Sequence, residues 1–70
     1  MKEQTLSLTT EFIKLDSLLK FAGLCGSGGE AKERIQAGEL SVNGTVCTAR
    51  GKKLRSGDIV SMGDETVRIL

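Results

Sequence analysis

From Gly38 onward, turn residues interrupt the chain too often for a helix to form. Gly38 is followed by Asn43-Gly44, by Gly51, by Ser56-Gly57-Asp58 and by Gly63-Asp64. Such residues reverse a chain through positive φ or through side-chain bonds to the backbone. The segments between them read as short strands, except Arg50 to Arg55, which reads as a basic connection with one apolar anchor, Leu54. With no helix among them to carry a crossover, these strands should pair mainly antiparallel. Asn43-Gly44 is the strongest two-residue hairpin signal, with Leu40 and Val42 alternating ahead of it and Thr45-Val46 starting the return strand. Ile59 to Met62 and Thr66 to Ile69 read as two further strands.

The first half has another rhythm. Thr5 to Thr9 alternates and reads as a short strand with Leu6 and Leu8 inward. Leu15, Leu18, Leu19 and Ala22 then fall at the spacing of one helix face, closed by Gly23. Ser27-Gly28-Gly29-Glu30 fits a capping box, with Ser27 as N-cap of a second helix that presents Ala31 and Ile35 and ends near Gly38. The expected class is α+β: two helices packed on a small, mainly antiparallel sheet of four to five strands, as one domain over residues 1–70.

Size bounds the function. Nineteen of the 70 residues are Leu, Ile, Val or Phe, enough for a folded core but a thin one. At this size a pocket walled by a second domain is not expected. There is no His, so the commonest general base and transition-metal ligand is missing. Cys25 and Cys47 are too few for a zinc site and read as packing residues in a reducing compartment. No cofactor is expected. The chain shows neither a membrane-length apolar run nor the apolar stretch of a signal peptide, and it reads as cytoplasmic and monomeric.

Net charge is only +1, so the distribution has to carry the argument. Residues 1–35 hold five basic and five acidic side chains. Between Glu39 and Asp58 there is no acid, yet Arg50, Lys52, Lys53 and Arg55 fall within six residues around Gly51. Such a run is either a solvated loop or a phosphate-contacting one, in which Gly51 would let backbone N–H groups approach an anion. The bare start of the second helix, Ser27-Gly28-Gly29, offers unpartnered N–H groups and the positive end of a helix dipole, with Lys32 one turn further.

Three motif matches are decoys. Gly26 to Ala31 matches a dinucleotide fingerprint but follows a helix where a strand is required. Asn43-Gly44-Thr45 matches a glycosylation sequon without a secretory signal. Asp58 and Asp64 follow glycine, which is turn chemistry and not a carboxylate site. The two aromatics, Phe12 and Phe21, are too few for a single-strand stacking platform, so a nucleic-acid partner would be read through backbone and shape, as structured RNA is.

Ile13 to Lys20, Ser27 to Lys32, Leu40 to Gly44, Arg50 to Leu54 and Gly57 to Val60, in that order and at this spacing, resemble the S-four-like RNA-binding domain, or alpha-L motif, and most of all its short stand-alone bacterial members. The resemblance runs from about Thr10 to Met62. It implies a non-enzymatic binder of structured RNA, ribosomal or transfer, with the ribosome as a further partner. It places Lys14 at the family's basic contact before the first helix. Ser27, Gly28, Gly29 and Lys32 hold its phosphate-contacting corner, and Arg50, Lys52 and Lys53 line the same face. Where larger members carry Arg after the capping Ser, this chain has Gly28, leaving that contact to backbone. The catalytic domains to which such modules are attached in pseudouridine synthases and tyrosyl-tRNA synthetases have no counterpart here. The competing reading is a protein-interaction module or small regulator that adds a partner strand to an exposed sheet edge.

Overall fold

The structure, a computed structural model, describes residues 2–70. Nine elements follow one another: β1 (Lys2–Leu6), β2 (Ile13–Lys14), α1 (Leu15–Phe21), α2 (Gly28–Gln36), β3 (Leu40–Val42), β4 (Thr45–Val46), β5 (Lys53–Leu54), β6 (Ile59–Met62) and β7 (Glu65–Ile69). Five strands form one sheet in the order β1-β7-β6-β3-β4, and β2 and β5 form a separate two-stranded ribbon.

The later strands pair antiparallel, as their short connections require. The hairpin between β3 and β4 turns on Asn43 at φ 52° and Gly44 at φ 86°. Two consecutive positive φ angles define a type I′ turn, whose twist matches that of the flanking strands. The sheet nevertheless has a parallel edge, because β1 pairs with β7 from Lys2 opposite Glu65 to Leu6 opposite Ile69. Residues 7–64 lie between these two strands and supply the crossover that parallel pairing needs.

This pairing corrects the expected first strand. The strand covers Lys2–Leu6 and not Thr5 to Thr9, because the β7 ladder ends at Ile69 and the Leu70 N–H to Leu6 O bond of 2.8 Å closes it. Leu8 leaves the ladder and packs from outside against the core.

Both helices lie where the apolar spacing placed them. Leu15, Leu18 and Leu19 of α1 and Ala31 and Ile35 of α2 are fully buried. They meet Leu40, Leu54, Val60 and Val67 from the strands in one cluster. Gly23 and Gly38, at φ 77° and 80°, follow the two helix ends in the left-handed conformation that favours glycine. Cys25 and Cys47 are free thiols, Cys25 buried in the core and Cys47 partly buried against it. No helix among the described residues is long and apolar enough to cross a membrane.

Candidate functional site

The basic segment is built into the start of α1. Lys14, in the N-cap position, makes no side-chain cap. The first helical amides are capped by the basic segment itself, Leu15 N–H donating to Lys52 O at 2.9 Å and Asp16 N–H to Arg50 O at 3.2 Å. Helix-start amides lack partners inside their own helix, so a neighbouring backbone that supplies carbonyls gains a fixed position in return. The segment read as a basic connection is therefore partly a strand: Lys53–Leu54 pairs with Ile13–Lys14. Leu54, fully buried, anchors it.

Alternation along the ribbon sorts the side chains. Ile13 pairs with Leu54 on the core side, and Lys14 pairs with Lys53 on the other. The Leu15-to-Lys52 bond makes Lys14–Lys53 the narrow, non-hydrogen-bonded pair, in which facing side chains come closest. The two lysines thus leave the ribbon on the same face. Lys53 Nζ also lies 4.9 Å from the centre of the Phe12 ring, a cation–π contact that holds it over the aromatic face.

Lys52 alternates away from Lys53. Its side chain borders an open groove of about 370 Å³ between the β3–β4 hairpin and the loop that follows, lined also by Val42, Val46, Ala49 and Asp58. Gly51 is open, since a Cβ there would meet nothing within 4 Å. Arg55 has an exposed side chain, while its N–H is held by Asp58 Oδ2 at 2.8 Å.

Arg50 is placed differently from the lysines. Its Nε and Nη2 both lie 3.3 Å from Asp16 Oδ2, an ion pair with Asp16 largely covered. One carboxylate is thus interleaved among the cations, and it ties the loop to α1 a second time.

The start of α2 is more occupied than its sequence implies. Ser27 Oγ accepts from Glu30 N–H at 3.2 Å, as a capping box requires, but Glu30 Oε1 accepts from Gly26 N–H at 2.6 Å where Ser27 N–H would be the usual donor. A carboxylate therefore already stands at the positive end of this helix. Gly28 and Gly29 remain open, with no close neighbour for a Cβ at Gly28. Lys32 is exposed. Among the described residues, no hydrogen bond or ion pair links this corner to Lys14 or to Arg50–Lys53. The structure thus ties Lys14, Arg50, Lys52 and Lys53 to the start of α1 through backbone pairing and the Asp16 ion pair, and it holds the α2 corner by contacts of its own.

Two functional neighbours escaped the sequence reading, Phe12 and Asp16. The available signal for Phe12 was its place two residues before Lys14, the spacing of one strand face. Nothing local marks Asp16, whose partner lies 34 residues away. The carboxylate of Asp58 does turn chemistry: it accepts from Arg55 N–H and from Asn43 Nδ2, and these bonds hold it below the ordinary carboxylate value. Burial pushes the Cys25 thiol up, and the nearby Glu30 carboxylate adds to the effect, which leaves it a poor nucleophile.

A family model described as S4 domain matches residues 6–70. The chain belongs to the S4 domain family. Among curated relatives, the "Probable ribosome maturation protein RlbA" of Bacillus subtilis is 40% identical over 57 residues, 81% of this chain and 80% of that one. The "Putative RNA-binding protein YbcJ" of Escherichia coli is 34% identical over 58 residues, 83% of each chain. A tyrosine–tRNA ligase of Ralstonia nicotianae is 42% identical over 48 residues, which are 69% of this chain and 12% of the ligase. In S4 terms, the β2–β5 ribbon and the two helices all fall within the matched span.

Proposed function

We propose that this S4 domain binds structured RNA, ribosomal or transfer, and catalyses no reaction. The observation that carries the reading is the Lys14–Lys53 pair, held at close range by the Leu15-to-Lys52 bond. Like charges directly opposite each other destabilise a strand pair, so an arrangement that holds them together fits a surface that meets a polyanion. Arg55 extends this surface along the chain, and Lys52 adds a cation on the adjoining side of the same segment, with Gly51 leaving its backbone open. Ser27, Gly28, Gly29 and Lys32 form a second, weaker contact, weakened by the Glu30 carboxylate at the same helix end. The names of two relatives point the same way, one to ribosome maturation and one to RNA binding. The proposed setting is accordingly the cytoplasm, with the ribosome or its RNA as partner.

The test is the salt dependence of RNA binding. Four phosphate contacts, from Lys14, Lys52, Lys53 and Arg55, give a log–log slope of about −3 to −4 on an RNA duplex. Exchanging both Lys52 and Lys53 for Ala flattens the slope by about one to two units and weakens all duplexes alike. An affinity independent of salt overturns the reading.

A further inference from the structure

Apart from Lys52, the residues of the groove take no part in the proposed contact with a regular RNA helix. The groove has a volume of about 370 Å³, near the lower end of the ~300–1,000 Å³ typical of small-ligand sites, so it suits a single small unit. Its walls combine an apolar surface from Val42, Val46 and Ala49 with the hydroxyl-bearing Thr45 and Thr48 and one ammonium, Lys52. Val46 is 60% exposed, a large apolar side chain left uncovered at the groove's rim. Asp58 is the one carboxylate in the lining. Its two oxygens are taken by Arg55 N–H and Asn43 Nδ2, and Lys52 and Arg55 lie close enough to help keep it ionised. The Asn43 side chain is also fully used, since its Oδ1 accepts from Ile59 N–H at 2.9 Å. The groups left free for a ligand are thus the Lys52 ammonium, the threonine hydroxyls and the apolar wall.

We infer that this groove takes one unpaired nucleotide of a bound RNA, its phosphate on Lys52 and its base against Val46 and Ala49. The inference rests on the RNA-binding reading above and adds a preference to it. Lys52 and Lys53 are consecutive residues on opposite sides of one backbone, so an RNA that rounds this ribbon edge meets the Lys14–Lys53 pair and the groove in turn. An extended peptide fits less well. The Cys47 N–H to Leu40 O bond makes Ser41–Val46 a non-hydrogen-bonded pair, so along this short edge only Val46 turns its backbone N–H and C=O outward. One residue's groups are too few to add a strand.

The experiment compares the affinity of the whole chain for two RNAs, a blunt duplex and the same duplex carrying one bulged nucleotide. The wild-type chain favours the bulged RNA by about tenfold, the worth of about 60 Å² of base surface buried against the apolar wall. Val46→Asp, or independently Ala49→Glu, puts a carboxylate into the groove and brings the ratio of the two affinities to about one. Both positions are exposed, and a melting curve of each variant verifies its fold. Equal affinity of the wild type for the two RNAs overturns the inference and leaves the RNA-binding reading standing. A preference that survives both variants also overturns it. Failure to bind either RNA overturns the RNA-binding reading itself.

Discussion

Lys14 and Lys53 face each other across a two-stranded ribbon as its narrow pair, although both carry positive charge. Their repulsion is offset by the Phe12 ring under Lys53 and by the backbone bonds on either side. Lys14→Gln should leave thermal stability unchanged or slightly raised, within about 0.5 kcal/mol, because removing a facing like charge compensates for the lost side chain. The same variant should weaken RNA binding and reduce the salt slope by about 0.7–0.9. Melting curves and a binding titration at several salt concentrations measure both. A variant that loses stability and keeps its slope would assign Lys14 a structural role.

Phe12 is expected to act through Lys53. An exposed cation–π contact contributes about 0.5–1 kcal/mol, so Phe12→Leu should lower RNA affinity about two- to fivefold while keeping the apolar bulk. In the Lys53→Ala background the same substitution should have no further effect, because the cation it orients is gone. Binding by the two single variants and the double variant supplies the cycle. Additive losses would show that the ring touches RNA on its own account.

Asp16 neutralises Arg50. The pair is partly exposed and contributes about 0–1 kcal/mol to stability, and the loop is held by backbone bonds as well. Asp16→Asn should therefore leave the fold intact and release a guanidinium into the basic patch. RNA binding at low salt should tighten and the slope steepen by about 0.7–0.9. An unchanged slope in a salt titration would place Arg50 away from the RNA.

Leu54 carries the ribbon on the core. It is fully buried, and Leu54→Ala should cost about 2–5 kcal/mol, a large share of what so small a domain has. Chemical denaturation would measure the loss. Leu70→Ala, at an exposed apolar position, is the control and should change stability by about 0.5 kcal/mol or less.

Asp58 couples the fold to acid. Its carboxylate lies below its ordinary value of 3.8 chiefly because Arg55 N–H, then Asn43, donates to the charged form. A value depressed on folding means stability that is fully present above the unfolded value and lost as the pH falls through the folded one. Wild-type stability should therefore decline below about pH 4, and Asp58→Asn should remove part of that decline while costing about 1 kcal/mol at neutral pH, less for its partial exposure. Denaturation at a series of pH values reads both effects. An acid decline equally steep in the variant would transfer it to other carboxylates.

Much of this protein was legible in its residues, for a physical reason. The α1 and α2 helices, the Ser27 cap, the type I′ turn at Asn43-Gly44 and the two glycines beyond the helix ends are each decided within a few residues, by spacing, by φ or by a short side-chain bond. The basic run at Arg50–Arg55 was visible for the same reason, since charge density is a local property. What the run does in space was not. Residue 13 meets residue 54, Arg50 meets Asp16, Lys53 meets Phe12 and β1 meets β7 only because the apolar side chains must share one core, and that choice weighs burial against loop closure over the whole chain. Two-residue strands such as β2 and β5 have no periodicity to read. Local chemistry thus settled the elements and their charges, and tertiary packing alone settled which cations stand together and which one an acid holds back.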